Sequence, residues 1–217
     1  MTLPDRISDS LEAWLTQQRW FASKARAVAS VNVLERIELS RAPALALEVV
    51  EVRFEAGTHE LYQLLPGDPE GMRALADLLG REAVVQCVSF HGGLTPDGHI
   101  RSMGAEQSNS SLVFGEQHVL KVFRRIAPGE NPELEMLRFL SARGFENVAA
   151  LTGSYEYSGE LMEATLGILQ EFVPESRDGW QLALDDPQGL LARIPELGVA
   201  TARTPHRTHR RLSLIHI

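Results

Sequence analysis

The stretch Gln107-Ser-Asn-Ser-Ser111-Leu-Val-Phe-Gly115-Glu-Gln-His-Val-Leu-Lys121-Val-Phe-Arg124 decides the fold. It reads as turn, strand, turn, strand: Gln107-Ser-Asn-Ser110 is polar and small, Ser111–Gly115 and Gln117–Arg124 carry the apolar runs Leu112-Val-Phe114 and Val119-Leu-Lys-Val-Phe123, and Gly115-Glu116 between them is short enough for a hairpin. Ile100–Glu106 upstream reads as a further strand, and strands this close in sequence are antiparallel. Downstream, Asn131-Pro132 starts a helix, with a capping side chain followed by a proline at the first helical position. The helix is expected to run through Arg143, with Gly144 closing it, and Leu161–Phe172 is a further extended apolar run.

Further toward the N-terminus the pattern changes. Asp9 can cap a first helix with Glu12 three residues on, and Ile7, Leu11, Trp14 and Leu15 share one face, with an end near Trp20-Phe21. Extended segments follow at Val31–Leu34 and Ala44–Phe54, then the turn Glu55-Ala-Gly-Thr58 and His59–Leu65, a hairpin in an antiparallel sheet. Asp68-Pro69-Glu70 supplies a cap, a proline and an acid ahead of Leu75, Leu78 and Leu79, and Gly80 can end that helix. The glycine-rich stretch His91–Gly98 reads as a boundary. The fold class is therefore α+β, with an antiparallel module at 1–92, a second module at 93–176 and a third stretch at 177–217.

Composition narrows the partners. The 217 residues carry 21 Lys+Arg against 29 Asp+Glu, a formal charge of −8, so the global attraction to phosphate backbones that supports nucleic-acid binding is missing. Cys87 is the single cysteine and cannot form an internal disulfide. No stretch approaches the roughly 18 apolar residues of a membrane span, and the start Met1-Thr-Leu-Pro-Asp-Arg6 is not a secretory signal, so a cytoplasmic protein without membrane partners is expected. No GxxxxGK[ST] or GxGxxG loop, HExxH or thiolate cluster occurs, and no metal ligand set is assigned; His206, His209 and His216 stand in a basic tail.

A few residues could carry chemistry. Strand alternation puts Lys121 on the same face as Val119 and Phe123. It fits two accounts: an edge lysine whose stem covers apolar surface, or a cation held for an anionic ligand. Glu135, one turn before Phe139, could face the sheet and meet that lysine, or could pair with Arg138 at i,i+3 on the surface; Glu133 suits the helix dipole. The turn Ser108, Asn109, Ser110, Ser111 can present backbone N–H groups and hydroxyls to a phosphate, although any surface hairpin can carry such a turn.

The order strand, polar turn, strand, tight turn, strand with lysine, helix with glutamate, and apolar strand matches the small lobe of a protein-kinase-like fold. At this point the chain resembles the maltokinases. The resemblance rests on Gln18-Arg-Trp-Phe21 with Lys24 and Arg26, Glu106–Ser111, Val119–Arg125, Asn131-Pro-Glu-Leu-Glu135, and Gln170-Glu-Phe-Val-Pro174 followed by Asp178-Gly-Trp180. It implies an N-terminal cap domain at 1–92, an ATP-binding small lobe at 93–176 and the start of a helical large lobe from 177. It further implies phosphorylation of maltose to maltose 1-phosphate with ATP and Mg²⁺, and trehalose synthase as a fused or associated partner. Lys121 would then be the ATP-phosphate lysine, Glu135 its helix partner, Ser108–Ser111 the phosphate-covering loop, and Gln170, Glu171 and Phe172 the adenine hinge.

The departure from the family is as informative. Its large lobe should supply one Asp for the sugar hydroxyl and another for Mg²⁺, yet Asp178, Asp185 and Asp186 are the aspartates that follow Phe172, and none stands in a His-Gly-Asp or Asp-Phe-Gly-like setting. No catalytic residue is therefore assigned. Gly198–Arg203 still resembles the start of a large-lobe helix, Thr204-Pro205 breaks it, and Arg207–Ile217 matches nothing in the family and resembles a frameshift or translated adapter sequence. The chain alone is expected to be inactive. Two rival readings are a related small-molecule kinase of the aminoglycoside-phosphotransferase type, against which Gln18-Arg-Trp-Phe21 argues, and a non-catalytic nucleotide- or partner-binding module.

Overall fold

The N-terminal hairpin expected from the sequence is present at Ala44–Phe54 and His59–Leu64, and the strand before it, expected at Val31–Leu34, runs over Val28–Arg41. The computed structural model describes residues 8–68, 70–93, 99–103 and 109–174, so Ile7, Pro69, Ser108 and the whole 177–217 stretch lie outside the described residues. Helix α1 (Ser8–Gln17) leads into β1 (Val28–Arg41), β2 (Ala44–Phe54) and β3 (His59–Leu64), then α2 (Gly71–Gly80), β4 (Val84–Val85) and β5 (Val88–Gly92). The second half contains β6 (Ile100–Met103), β7 (Asn109–Phe114), β8 (His118–Phe123), β9 (Arg125–Ile126), α3 (Pro132–Ala142), β10 (Leu151–Ser158) and β11 (Glu163–Glu171).

Two antiparallel sheets result. The first runs β1-β2-β3-β9 and the second β4-β5-β10-β11-β8-β7-β6. The chain passes from the second sheet to the first at Arg124, between β8 and β9, where Tyr62 pairs with Arg125 and Leu61 with Ile126. Conversely, β5 leaves the N-terminal stretch to pair with β10, Val88 opposite Tyr157 and Gly92 opposite Gly153. The second sheet thus runs across the 92/93 division expected from the sequence, because the stretch 84–92 pairs with a partner more than sixty residues away that no local pattern announces.

Packing follows the same exchange. One core cluster joins Ile37, Leu47, Val49, Leu75 and Leu79 to Val88, Phe90, Leu120, Val122, Tyr155, Leu166 and Leu169, so α2 and the outer sheet close on one face of the second sheet. A second cluster buries Leu15, Trp20, Phe21 and Tyr62 under α1, which accounts for Trp20-Phe21 of the Gln18-Arg-Trp-Phe21 motif as packing residues. A third, Phe123, Leu134, Leu137 and Ile168, seats α3 on the opposite face of the second sheet.

Local signals were used in two different ways. Asn131 caps α3 as expected, its side chain accepting from the Glu133 amide at 2.8 Å, and Gly144 takes a positive φ of 64° just past the helix. Asp68, by contrast, does not cap α2: its carboxylate accepts from the Ala44 amide at 2.9 Å and so fastens the β1–β2 turn, while the helix starts at Glu70 without a side-chain cap.

Candidate functional site

Register decides which side chains share the α3-facing surface of the second sheet. Directly opposed residues of an antiparallel pair point the same way. Lys121 lies between Ser111 on β7 and Ile168 on β11, and Ser111 opposes Met103 on β6. The neighbouring row is Arg101, Val113, Val119 and Gln170. All of these occupy the face that carries Phe123 and Ile168 toward α3, whereas Leu120 and Val122 turn to the other core.

On that face Lys121 is only 9% exposed. Its Nζ donates to both carboxylate oxygens of Glu133, at 2.9 and 2.8 Å, and lies 6.0 Å from the Phe123 ring. A buried ammonium gripped by two charge-assisted bonds is a held cation, and the account of Lys121 as a snorkelling edge residue is excluded.

The partner differs from the one expected. Glu135 is exposed, and Phe139, expected beside it on the sheet side, is 53% exposed. The reason is helical phase: Leu134 and Leu137 define the buried face of α3, and Glu133 and Glu135, two residues and about 200° apart, cannot both approach it. Glu133 flanks Leu137 one turn on and reaches the lysine. The leucine spacing was the signal that could have selected it.

The expected phosphate-covering turn is also redistributed. Asn109, Ser110 and Ser111 belong to β7, which starts ahead of the predicted strand, and Ser108 lies outside the described residues. Alternation sends Asn109 and the 3%-exposed Ser111 to the Lys121 face and Ser110 to the opposite one. Ser110 Oγ accepts from Arg124 Nε at 2.9 Å. Arg124 is 7% exposed, stands 5.4 Å from the Trp20 ring and leaves Nη1 without a hydrogen-bond partner; burial pulls its pKa down from the usual guanidinium value.

At the end of β11 the residues expected to form the adenine hinge are held by the chain itself. Gln170 Nε2 donates to the Ala149 carbonyl at 3.3 Å, the Glu171 amide to Ala150 at 2.9 Å, and the Phe172 amide to Gln117 at 2.7 Å. Those two amides are therefore engaged in backbone bonds. His118 beside this segment has its pKa lowered by burial against a smaller opposing pull from the Glu171 carboxylate. Among the described residues no group of three or more His, Cys, Asp or Glu is arranged to hold a metal, and no helix is long and apolar enough to cross a membrane.

Comparison with known proteins bears on the cap and on the fold. Residues 14–70 match the maltokinase N-terminal cap domain, so the resemblance to maltokinases is borne out over that part of the chain. Solved structures of a glucosamine kinase share the fold. Its crystal form A aligns with a TM-score of 0.53 at 17% identity, covering 82% of this chain and 42% of that one. The complex with glucosamine, ADP and inorganic phosphate aligns at 0.54 and 17% identity, covering 86% and 44%. The chain thus spans less than half the length of these neighbours. The architecture is α+β, a cap of antiparallel sheet and helices joined to a kinase-like small lobe.

Proposed function

We propose that the chain carries the nucleotide-binding half of an ATP-dependent sugar kinase of the maltokinase type, forming maltose 1-phosphate from maltose and ATP. The observation that carries this reading is Lys121: an ammonium buried on the α3-facing side of the second sheet, fixed by Glu133 and next to Ser111. A cation so placed suits the phosphates of ATP, since phosphoryl transfer depends on positioning and charge neutralisation more than on covalent chemistry by the protein. Asn109 and Ser111 line the same face on the loop side, and Gln170, with Phe172 near Arg101, stands on the side where the base would lie. On this reading maltose is the acceptor, which the cap match supports, trehalose synthase is a fused or associated partner, and the setting is cytoplasmic.

The chemistry of the acceptor lies elsewhere. On this reading the proton-accepting aspartate and the oxygen ligands that Mg²⁺ takes belong to the large lobe that the resemblance to maltokinases implies. The 217-residue chain is expected to bind ATP, seen by isothermal titration, and to yield no maltose 1-phosphate with ATP, Mg²⁺ and maltose. Clear product would overturn the placement of the catalytic groups, and absence of ATP binding would overturn the nucleotide reading.

A further inference from the structure

Arg101 on β6 is used by nothing described so far. Its Nε and Nη2 fork onto Glu116 at 2.6 and 3.0 Å, and its Cζ stands 5.5 Å from the Phe172 ring. Glu116 sits in the β7–β8 turn with a positive φ of 54°, a conformation unusual for a side chain of its size, and the adjacent Gln117 carbonyl accepts from the Phe172 amide. Three separate pieces, the edge strand β6, the β7–β8 turn and the segment after β11, thus converge on one guanidinium. Register puts Arg101 in the row of Val113 and Val119, on the same face as Lys121. Val113 opposite it is fully buried, whereas the Arg101 side chain is 39% exposed, so a planar cation and an aromatic ring stand accessible at the edge of this packed row.

We propose that Arg101 is a positioning residue for the nucleobase: with Glu116 it fixes the Phe172 ring and its own guanidinium plane as the platform against which a purine packs. The inference rests on the nucleotide reading above and assigns the base end of that site, as Lys121 assigns the phosphate end. A guanidinium held flat by a carboxylate fork presents its faces for stacking, and Arg stacks on aromatic and heteroaromatic planes. A lysine at this position would keep the charge and lose the plane.

Splitting the nucleotide into its parts tests the assignment. Affinities of the full chain for ATP, adenosine and tripolyphosphate are measured for the unmodified protein, Arg101→Gln, Arg101→Lys and Lys121→Met. Arg101→Gln is expected to weaken ATP and adenosine by a common factor of about five, the size of an exposed cation–π contact with its ion pair, and to leave tripolyphosphate unchanged. Arg101→Lys should resemble it, and Phe172→Leu, which leaves the Arg101–Glu116 fork in place, should give the same split. A parallel loss of tripolyphosphate affinity would overturn the proposal, because a general disturbance of the lobe moves both ends. Unchanged ATP affinity in Arg101→Gln, with a clear loss in Lys121→Met, would overturn the role of Arg101 and spare the nucleotide reading. No ATP affinity in the unmodified chain would overturn both.

Discussion

Replacing Glu133 by Gln is the sharpest test of how the cation is held. The change removes one charge of a pair whose lysine is 9% exposed and whose glutamate side chain is 36% exposed. Stranding a charge in a fully buried pair costs about 3–5 kcal/mol, whereas an exposed pair is worth about 0.2–1 kcal/mol. Lys121 belongs near the first limit and Glu133 near the second, and a glutamine oxygen still accepts one hydrogen bond. A loss of about 1–2 kcal/mol is therefore expected, which for a domain of this size lowers Tm by roughly 4 °C. Glu135→Gln, on the exposed side of α3, should change stability by less than about 0.5 kcal/mol.

Urea denaturation of Glu133→Gln, Lys121→Met and the double variant separates a specific pair from general disturbance. With both partners gone no charge is stranded, so the double variant should be more stable than the sum of the single losses implies, with a coupling of about 1 kcal/mol. The same cycle through Glu135 should give additivity within about 0.5 kcal/mol. Because Glu133 is partly solvated, the coupling should shrink with added salt. Equal couplings through the two glutamates, or a larger one through Glu135, would refute the helical phase on which the site assignment rests.

Two further outcomes follow from the same structure. Glu60 is 7% exposed; burial works against its charged form, but hydrogen bonds from Tyr62 at 2.6 Å and Ser23 at 2.9 Å, with Arg125 and Arg26 nearby, outweigh this and lower its pKa from the ordinary 4.5. A carboxyl lowered in the folded state adds stability above its unfolded pKa and loses it as pH falls through the folded value. Glu60→Gln should thus cost about 2 kcal/mol at pH 7, and the gap to the unmodified protein should close below pH 4.5, as read by urea melts across that range; a pH-independent gap would refute it. Gly167→Ala should lower stability by about 1–3 kcal/mol, since the added Cβ would lie 2.7 Å from the Lys121 carbonyl and against the Tyr155 ring, and an unchanged Tm would contradict this close β8–β11 packing.

What was legible in the sequence was whatever neighbours decide. The β7–β8 hairpin, the β2–β3 hairpin, α3 between Asn131 and Gly144, and β11 all rest on turn chemistry or caps within a few residues. Lys121 was recognisable because alternation alone makes a cation at that position conspicuous. What escaped depends on distant partners. β10 reads Leu151-Thr-Gly-Ser-Tyr-Glu-Tyr-Ser158, with Tyr155 and Tyr157 in correct alternation, but Gly153 looks like a loop residue until β5 is seen beside it: a Cβ there would lie 2.9 Å from the Gly92 Cα. β9 is a strand only because β3 lies alongside. Glu133 was passed over because the dipole account of an acid in the first turn was sufficient locally, and Arg101 because an arginine on an edge strand needs no explanation until Glu116 and Phe172 converge on it.

The two sheets exchange strands, and this has an energetic consequence that a cap merely resting on a lobe would not have. Gln63, fully buried on β3, donates to the Phe123 and Leu166 carbonyls and accepts from Tyr155 Oη at 3.0 Å, so one amide satisfies polar groups on three strands of the other sheet. The largest core cluster draws on both halves. Neither half can open without exposing apolar surface of the other and stranding those groups, which favours a single cooperative transition. Trp14 and Trp20 report the cap alone once Trp180 is replaced by Phe, while far-UV circular dichroism reports both sheets. The two signals should give coincident urea transitions with one m-value. A tryptophan transition at lower urea than the circular dichroism transition would show instead a cap that melts separately, and with it that the shared core contributes less than its burial implies.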